Sequence, residues 1–273
     1  MKPFEEIDRH VSREGKVLRF MHRDGDYWIL IDDEELMATR ATHSERELAR
    51  RTCSDLGVPR PRVLIGGLGL GFTLRAALDV LPAAAQVVVA EVFECVVRWN
   101  YRHLADLQGD ALRDPRLVVA RCDVWNALGG SLGDGAGVPE EIRRRQRERF
   151  RDQTGADSAF DVVLLDVDNG PAATCLDANA RLYGRRGIER IAAALRPGGL
   201  LAVWATDPDS GFVKRLRAAG FEAGSEVVRS RGSRGTRHHL FLARSPAAGS
   251  APPPGRKPRS ATGDGRRRGR RGA

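Results

Sequence analysis

One stretch, residues 62–100, constrains the fold of this chain more than any other. It opens with a short apolar run, Val63 to Ile65, which is too short for a buried helix and suits a buried parallel strand. Four glycines follow: Gly66, Gly67, Gly69 and Gly71. Apolar residues then recur every three or four positions from Leu70 to Leu81, Pro82 ends that pattern, and a second apolar run ends at Glu91. This order of strand, glycine turn, helix, strand and acid predicts a βαβ unit.

The chemistry of this unit points to a nucleoside. A glycine-rich turn at a helix N-terminus presents backbone N–H groups to an electron-rich ligand, and the bare backbone lets that ligand come close. Glu91, at the end of the second strand, is placed to accept hydrogen bonds from two ribose hydroxyls. A glycine turn by itself often only closes the corner between a strand and a helix. The complete unit, in this order, favours a nucleoside-containing cofactor.

Composition sets the broad class of the protein. The chain has 273 residues, 41% of them hydrophobic, which is enough for one sizeable core with a small annex. No apolar run approaches the roughly 20 residues of a membrane span, and the first residues lack the apolar region of a signal peptide, so we expect a cytoplasmic protein. The cysteines form no CxxC pair and no metal-like spacing with histidine, so we expect free thiols and no metal site. They are Cys53, Cys95, Cys122 and Cys175.

The positive charge is concentrated at the end of the chain. The net charge is +9, but residues 245–273 hold eight lysines and arginines and a single acid, Asp264. That tail carries +7 and leaves only +2 for the rest of the chain, which does not indicate a polyanion-binding surface on the folded body. The tail itself, rich in Pro, Gly, Ala and Arg, is predicted to be disordered. Weak nucleic-acid binding through this basic tail is one alternative for a partner.

The first part of the chain predicts a small antiparallel β annex over residues 1–42. Residues 1–15 are polar and uninformative. Lys16 to Ile31 has the pattern of a hairpin around an Asp-Gly turn, and a third short strand is expected near Leu36.

A helix is predicted from Ser44 to about Leu56. Ser44 and Glu47 have the spacing of a capping box at its start. His43 and Glu45 stand at the same end. Either they face a ligand, as substrate-binding residues, or they belong to an ordinary surface cap.

Acidic side chains recur at the ends of two more predicted strands. Asp123 follows the third core strand, where it is placed to accept a hydrogen bond from an adenine amino group and also suits a helix N-cap. The strand from Val162 to Leu165 ends in Asp166 and Asp168, followed by Asn169. Two acids at i and i+2 attract an amine, bind it by hydrogen bonds and can take its proton. Capping needs only one of them, so we expect the pair to have a function.

The rest of the chain continues the alternation of strands and helices. A charged insertion over residues 129–158, with a helix from about 139, is expected to be solvated, with RNA or phosphate binding by its arginines as the alternative. Beyond it the pattern predicts a helix (185–195), a strand (200–205), a helix (210–219) and a hairpin (221–244). In that hairpin, His238 and His239 are expected to be strand residues rather than catalysts. Together these elements predict one doubly wound α/β sheet over residues 43–244.

These motifs, in this order, resemble the class I S-adenosylmethionine-dependent methyltransferase fold. The resemblance is narrower to its spermidine synthase-like branch, the polyamine aminopropyltransferases, and covers about residues 16–244. It is carried by GGLGLGFTLRAAL, the acid of VVVAEV, Asp123, FDVVLLDVDNGP, LYG and LRPGGLLAVWA, with THSERELA before the first core strand. The resemblance implies a Rossmann-like, doubly wound seven-stranded sheet with a small N-terminal β annex.

The resemblance also implies a role for each matching residue. The four glycines would line the sulfonium or thioether end of the cofactor, while Glu91 would hold the ribose and Asp123 the adenine. Asp166 matches the acid that orients and deprotonates the attacking amine in the family. Tyr183 matches a tyrosine that follows this acid.

The chain departs from the family in the acceptor region. The second acid comes at spacing two, as Asp168, and Asn169-Gly170-Pro171 replaces the family's Asp-Pro. Thr42-His43-Ser44-Glu45 stands where the family has Tyr-His-Glu. Because these changes touch the amine pocket and not the nucleoside pocket, the resemblance specifies the cofactor better than the acceptor.

The activity implied by the resemblance is aminopropyl transfer. An amine such as putrescine attacks decarboxylated S-adenosylmethionine and methylthioadenosine leaves, with Asp166 aiming the amine and Asp168 or Glu45 binding its distal ammonium. The alternative is methyl transfer from intact S-adenosylmethionine, whose carboxylate needs either backbone N–H groups or a basic residue near the glycine loop. Arg75 is the nearest basic residue in sequence but falls inside the predicted helix. A third hypothesis is a retired enzyme that contacts RNA through the basic tail and the predicted helix over residues 139–152. The other partners expected are a small-molecule amine and a second copy of the chain in a homodimer.

Overall fold

The computed structural model describes residues 3–150, 159–167, 169–172 and 177–247, which form two β-sheets with helices around the larger one. No helix in these ranges is long and apolar enough to cross a bilayer. The predictions made for Asp168, Cys175, residues 151–158 and the tail beyond residue 247 lie outside the described residues.

The smaller sheet comes first and has four antiparallel strands in sequence order. They are β1 (Glu5–Val11), β2 (Val17–Arg23), β3 (Asp26–Ile31) and β4 (Glu34–Ala38). The turn between β2 and β3 has positive φ at both Asp24 and Gly25, which matches the twist of the paired strands. The predicted annex is confirmed, but β1 lies in the segment taken as uninformative. Its side chains are largely polar and exposed, so only its pairing with β2 makes it a strand.

The larger sheet has seven strands in the order β10-β11-β9-β8-β5-β6-β7. They are β5 (Arg62–Gly66), β6 (Gln86–Glu91), β7 (Leu117–Arg121), β8 (Phe160–Leu165), β9 (Leu195–Ala205), β10 (Glu222–Arg231) and β11 (Arg234–Arg244). Strands β5 to β9 are parallel, and β10 and β11 are antiparallel. The central strands are nearly continuous apolar runs because both faces of a parallel sheet are covered. The predicted seven-stranded doubly wound sheet is confirmed.

Helices cover both faces of this sheet. They are α1 (His43–Cys53), α2 (Phe72–Val80), α3 (Glu94–Trp99), α4 (Val124–Leu128), α5 (Glu140–Phe150), α6 (Ala180–Tyr183), α7 (Arg185–Ala194) and α8 (Ser210–Ala218). In β5, Val63 and Ile65 belong to one core and Leu64 to the other, as strand alternation requires. The first core also contains Phe20 of the smaller sheet, whose ring stacks on Trp99 with centroids 5.0 Å apart. The smaller sheet therefore packs on that side of the larger one.

The start of α1 differs from its prediction. The N-cap is Thr42 and makes no side-chain capping bond, so the predicted capping box of Ser44 and Glu47 is wrong. Ser44 is instead fully buried, and its hydroxyl contacts the side chains of Glu45 and His238. Tertiary packing therefore overrides a local capping pattern at this position.

The sequence predicted that the charged helix α5 is solvated, but one face of this helix is buried. Ile142 and Gln146 are buried, and Gln146 Oε1 accepts a hydrogen bond from Val119 N in β7 at 3.4 Å. Because β7 is an edge strand, this contact covers part of an otherwise unpaired strand edge.

The described cysteines are free, as predicted. Cys53 and Cys95 are buried, and Cys122 is partly buried. Burial raises the pKa of both the Cys53 and the Cys95 thiols to about 12, so they behave as small apolar side chains.

Candidate active site

A cavity of about 500 Å³ lies between the smaller sheet and the carboxyl ends of the central strands of the larger one. Open α/β sheets bind ligands at this edge, next to the point where the strand order reverses. Here that point is β5, which has β6 on one side and β8 on the other. His10 and Val11 of β1 and Met37 of β4 border the cavity from the smaller sheet. Its volume is typical of small-molecule sites.

The loop between β5 and α2 brings bare backbone to the cavity. Gly67 has a φ of 85°, and a Cβ there would lie 2.2 Å from the carbonyl oxygen of Asp166. Gly69 has a φ of 50°, and a Cβ there would meet the sulfur of Met37 at 2.5 Å. Both glycines line the cavity. At Gly67 a side chain would clash with fixed backbone, and at Gly69 it would have to displace the end of the Met37 side chain, so bare backbone faces the cavity at both positions.

The other two glycines of the loop lie behind it. A Cβ on Gly66 would meet Val124 Cγ2 at 2.8 Å, and a Cβ on Gly71 would meet the amide of Gln108 at 2.6 Å. Neither glycine is part of the cavity lining. These two positions therefore serve the close packing of the loop.

Glu91 ends β6 and faces the cavity with a buried side chain. Its Oε2 accepts a hydrogen bond from Leu68 N at 2.9 Å, and its Oε1 accepts one from Phe93 N at 2.8 Å. Burial raises the pKa of this carboxyl, and the backbone donors oppose the shift. The carboxylate is thus fixed between the glycine loop and the segment after β6, where a ribose-binding acid was predicted.

Asp123 follows β7 and also lines the cavity. Its Oδ1 accepts a hydrogen bond from Trp125 N at 2.8 Å, which confirms the predicted N-cap of α4. Its Oδ2 accepts a hydrogen bond from Arg181 Nη2 at 2.5 Å. The contact with an adenine amino group stays a prediction.

Asp166 follows β8 and lies next to Gly67 at the cavity. Its Oδ2 accepts a hydrogen bond from Thr73 Oγ1 at 2.6 Å. Burial raises the pKa of this carboxyl to about 6, and the hydroxyl of Thr73 acts in the opposite direction. A carboxyl with this pKa exchanges protons near neutral pH, as a general base requires.

Glu45 brings a second carboxyl to the same cavity from α1. Its side chain is 7% exposed. Burial and the nearby charge of Asp166 raise the pKa of Glu45 to about 7, and the hydroxyl of Ser44 acts in the opposite direction. With these raised pKa values, both carboxyls are partly protonated close to neutral pH.

The remaining predicted site residues do not all meet at the cavity. Asn169 lines it. Tyr183 is buried in the core, with its ring edge-on to Phe212 at 5.7 Å, and is not part of the cavity lining. His43 is partly exposed at the start of α1 and is also outside the lining. Asp168 falls outside the described residues.

Comparison with known proteins finds relatives of this chain in sequence and in fold. No protein-family model matches the chain. The chain is 27% identical over 199 residues to the polyamine aminopropyltransferase of Aeropyrum pernix, which covers 71% of this chain and 50% of that protein. It is 30% identical over 219 residues to the polyamine aminopropyltransferase of Mycobacterium tuberculosis, which covers 77% of this chain and 34% of that protein. The chain therefore spans half or less of the length of these relatives.

Solved structures of spermidine synthases share the fold of this chain. The spermidine synthase of Thermotoga maritima matches with a TM-score of 0.62 at 16% identity, covering 88% of this chain and 72% of that one. A spermidine synthase in complex with the transition-state analogue AdoDATO matches with a TM-score of 0.60 at the same identity and coverage. The resemblance to the spermidine synthase-like branch is confirmed. The structures show the shared fold, and the curated relatives carry the likeness in sequence.

Two buried amides of this spermidine synthase-like chain were not predicted. Gln108 Nε2 donates to the carbonyl oxygen of Leu70 at 2.5 Å and also to Asn100 Oδ1, while Asn100 Nδ2 donates to the carbonyl oxygen of Gly69 at 2.8 Å. Asn100 begins a π-helical turn, Asn100–Leu104, of the kind that often marks functional sites. The pair fixes the glycine loop from behind. Nothing in the sequence signals it, because a polar residue in a helical pattern normally indicates a solvated face.

Proposed function

We propose that this chain transfers an aminopropyl group from decarboxylated S-adenosylmethionine to an amine and releases methylthioadenosine. The observation that carries the proposal is the pair of carboxyls of Asp166 and Glu45, which border one cavity beside Gly67 and have raised pKa values. An acidic pair suits a cationic acceptor. A pKa near neutrality suits a group that must take a proton during the reaction and release it afterwards. The relatives named polyamine aminopropyltransferase support the same activity.

The residues at the cavity fit an adenosyl sulfonium. The bare backbone at Gly67 and Gly69 admits close approach, and Glu91 and Asp123 present carboxylates after successive strands. We propose that Glu91 binds the ribose hydroxyls, that Asp123 accepts from the adenine amino group, and that the glycine loop borders the sulfonium. A spermidine synthase of similar fold has been solved in complex with the transition-state analogue AdoDATO, which supports the class of ligand proposed. When bound, the donor supplies an electrophilic carbon next to a positively charged sulfur.

Proton handling is the part of the reaction that this chain performs itself. Asp166 accepts the proton of the amine, which frees the nitrogen lone pair to form the new C–N bond. The C–S bond breaks and its electron pair stays on sulfur. Thr73 orients Asp166, while Glu45 binds an ammonium of the acceptor or shares the proton with Asp166. Holding both reactants in line lowers the barrier by several kcal/mol, on the order of 7 or more in favourable cases.

Methyl transfer from intact S-adenosylmethionine is less well supported, because the basic residue near the glycine loop that was expected to bind that donor's carboxylate does not line the cavity. Arg75, the candidate chosen from the sequence, pairs with Asp79 at 2.6 Å and is not part of the cavity lining. Two arginines do line the cavity. Arg13 is exposed at the β1–β2 turn, and Arg121 is already paired with Asp134. We therefore propose the decarboxylated donor.

The test is a comparison of the two donors. The protein is incubated with decarboxylated or intact S-adenosylmethionine and with a panel of mono-, di- and polyamines, and the products are analysed by mass spectrometry. We expect methylthioadenosine and an aminopropylated amine from the decarboxylated donor only. Formation of S-adenosylhomocysteine from the intact donor would instead establish methyl transfer. No product from either donor would leave the third hypothesis, a non-catalytic protein.

Other predictions from the sequence stay predictions. They are the cytoplasmic location, a homodimer, nucleic-acid contact through the basic tail, and the roles of Asp168, Tyr183, His43 and Asn169.

A further inference from the structure

A hydrogen-bonded chain of three side chains connects the cavity to a histidine outside it. Glu45 lines the cavity, and its Oε2 lies 2.6 Å from the hydroxyl oxygen of Ser44. The same hydroxyl oxygen lies 2.8 Å from His238 Nδ1, which belongs to β11. Glu45 and Ser44 are buried, whereas His238 is partly exposed. A buried titratable group at the cavity is thus joined, through one hydroxyl, to a titratable group that reaches water.

The hydroxyl of Ser44 decides the direction of both bonds. A serine hydroxyl has a single proton to donate and two lone pairs with which to accept. When Glu45 is ionised, Ser44 donates to Glu45 Oε2, so His238 Nδ1 must carry a proton and donate to Ser44 Oγ. When Glu45 is protonated, both bonds reverse, and Ser44 donates to a bare Nδ1. The protonation of Glu45 and the tautomer of His238 are therefore linked.

The two ends of this hydrogen-bonded series, Glu45 and His238, can each gain and lose a proton in their surroundings. His238 has Trp204 of β9 against its ring at 4.6 Å, Val228 of β10 opposite in register, and His239 next to it. Burial, and the neighbouring His239, lower the pKa of His238, so its imidazole is neutral near pH 7. No carboxylate of the described residues other than Glu45 is connected to His238 through a hydrogen bond.

Glu45, at the cavity end of this hydrogen-bonded series, faces charged and polar groups from three elements. Burial and then the charge of Asp166 raise the pKa of Glu45, and Arg46 next to it in α1 acts in the opposite direction. Thr73 of α2 donates to the backbone oxygen of Glu45 at 3.4 Å and to Asp166 at 2.6 Å. Asp166 is held by a hydroxyl that donates to it, whereas Glu45 is held by one that also contacts a base.

We propose that Ser44 and His238 form a relay that carries the proton released by the reacting amine from Glu45 to solvent. This inference rests on the proposed aminopropyl transfer. Alkyl amines are ammonium ions at neutral pH, so an ammonium and a sulfonium become a secondary ammonium, a thioether and one free proton. That proton must leave the acidic pair, of which Glu45 is buried, in each turnover. Within the described residues, the bond through Ser44 leads from the acidic pair to a base outside the cavity lining.

The steps balance without any further reactant. The amine gives its proton to the acidic pair of Asp166 and Glu45. Once Glu45 is protonated, the ring of His238 carries its proton on Nε2 and leaves Nδ1 bare. Glu45 passes a proton to Ser44 Oγ while the hydroxyl proton of Ser44 moves to Nδ1, which forms an imidazolium. The imidazolium loses its Nε2 proton to water, so one proton has reached solvent and the ring keeps a proton on Nδ1. Before the next transfer the ring breaks its bond to Ser44, exchanges the Nδ1 proton for one on Nε2 with water, and binds Ser44 again. His238 and Ser44 act through Glu45 and do not touch the substrate, so they are positioning residues.

A purely structural role for Ser44 and His238 makes a different prediction. In that case the two side chains would only satisfy the hydrogen bonding of the buried Glu45 oxygen. Their removal would lower the free energy of unfolding without changing how kcat depends on pH. A relay instead makes the titration of His238 depend on Glu45. It also makes turnover depend on protons supplied or removed by buffer.

The first experiment needs no substrate. Nitrogen-15 NMR of the histidine rings gives the tautomer and the pKa of His238 in the full-length protein and in the Glu45→Gln and Ser44→Ala variants. We expect the Nδ1–H tautomer in the unmodified protein at pH 8. We expect a lower pKa of His238 in both variants, because the imidazolium loses a connected negative charge. The ring resonances of His239 serve as the internal control and should change less.

The second experiment measures turnover. We expect His238→Gln to lower kcat about tenfold at pH 7, with the KM of the donor and the thermal shift caused by methylthioadenosine unchanged. In His238→Ala, added imidazole should restore part of kcat in a concentration-dependent way. His239→Gln, in the adjacent strand position, is the matched control and should turn over like the unmodified protein.

The possible results separate the relay from the proposed function. A pKa of His238 that ignores Glu45→Gln, or a His238→Ala variant with unchanged kcat from pH 6 to pH 9, overturns the relay and leaves aminopropyl transfer standing. If the pKa of His238 depends on Glu45 but the unmodified protein forms no methylthioadenosine, the proposed function is refuted. The relay would then carry no proton from a reacting amine.

Discussion

The two halves of the cavity hold their carboxylates in different ways. In the half proposed to bind the nucleoside, the nucleoside half, Glu91 and Asp123 each accept a hydrogen bond from the backbone N–H group two residues further along the chain. Glu91 also accepts one from Leu68 N, and Asp123 one from Arg181. In the half proposed to bind the amine, the amine half, Glu45 and Asp166 each accept from one side-chain hydroxyl, and their pKa values are raised to about 7 and about 6. Burial raises the pKa of Glu91 as well, but there several backbone donors oppose the shift.

This difference suits two tasks. Backbone donors do not rotate away, so a carboxylate that accepts from them keeps its position and favours its charged form. Such a group is suited to binding hydroxyls and amino groups whose protonation does not change. A buried carboxyl with few donors moves a proton easily, which suits a reacting amine. Substitutions in the two halves should therefore separate into effects on binding and effects on turnover.

The largest expected effect is at Asp166. The variant Asp166→Asn keeps the shape of the side chain and the contact with Thr73 but cannot take a proton. We expect turnover to fall by about 10²- to 10⁴-fold. The affinity for methylthioadenosine, measured by calorimetry, should change by less than about twofold, a fraction of 1 kcal/mol.

Thr73→Val provides the matched comparison for Asp166→Asn. It leaves the base in place and removes only the hydroxyl that orients it. The loss of turnover should be smaller than in Asp166→Asn, and the pH profile should shift to higher pH, because the hydroxyl lowers the pKa of Asp166. An equal loss of nucleoside affinity and turnover in Asp166→Asn would remove the distinction between the two halves.

The second effect belongs to Glu91. In Glu91→Gln the amide keeps one acceptor but loses the charge and one backbone-bonded oxygen, so we expect the Kd for methylthioadenosine to rise by about 10- to 100-fold, or about 1.4 to 3 kcal/mol. The kcat at saturating donor should change far less. Asp123→Asn is the matched control, because asparagine still caps α4 and the expected rise in Kd is smaller. A Kd for Glu91→Gln within twofold of the unmodified protein would refute the ribose assignment.

The sequence predicts the nucleoside half far better than the amine half. The glycines and Glu91 follow one another in a single βαβ unit, so local order is enough to place them. Asp166 could be predicted because it directly follows an apolar strand. Glu45 could only be proposed with an alternative, since its burial depends on the smaller sheet and on β11.

The contacts that were missed join distant parts of the chain. Ser44 has the local pattern of a helix cap, but its hydroxyl meets His238, which lies 194 positions later. Gln108 and Asn100 support the glycine loop from a π-helical turn that no apolar periodicity reveals. Strand β1 lacks apolar alternation because most of its side chains face solvent. Periodicity reports which face of an element is buried, not which polar partner meets it.

The amide pair behind the glycine loop should give a smaller effect on binding. In Gln108→Leu, the carbonyl oxygen of Leu70 and Asn100 Oδ1 lose their donor, which should cost about 1 to 3 kcal/mol of unfolding free energy. A looser loop should also weaken methylthioadenosine binding by about tenfold or less, with little change in kcat at saturation. Chemical denaturation and calorimetry on one preparation measure both. A fall in kcat without weaker binding would place this pair in the amine half instead.

The smallest effect concerns stability and tests the amine half without any ligand. The folded-state pKa values of Glu45 and Asp166, about 7 and about 6, lie above the values of 4.5 and 3.8 expected for exposed side chains. Between about pH 4 and pH 7 the folded protein therefore binds more protons than the unfolded chain. The stabilisation that comes from these bound protons is fully present below the unfolded-state pKa values of 4.5 and 3.8. It is lost as pH rises through the folded-state pKa values, so the free energy of unfolding should fall across this window. The buried Glu91 acts in the same direction.

The loss in stability should be on the order of 2 kcal/mol for each group of the pair, seen as a fall of about 10 °C in Tm between pH 5 and pH 8. Glu45→Gln removes one titrating group, so its Tm should vary less with pH than that of the unmodified protein. Glu222→Gln, an exposed position in β10, is the control and should leave the slope unchanged. If the curves of Glu45→Gln and the unmodified protein run parallel, Glu45 is ionised throughout. It could then neither share a proton with Asp166 nor pass one to Ser44, and the amine half would resemble the nucleoside half after all.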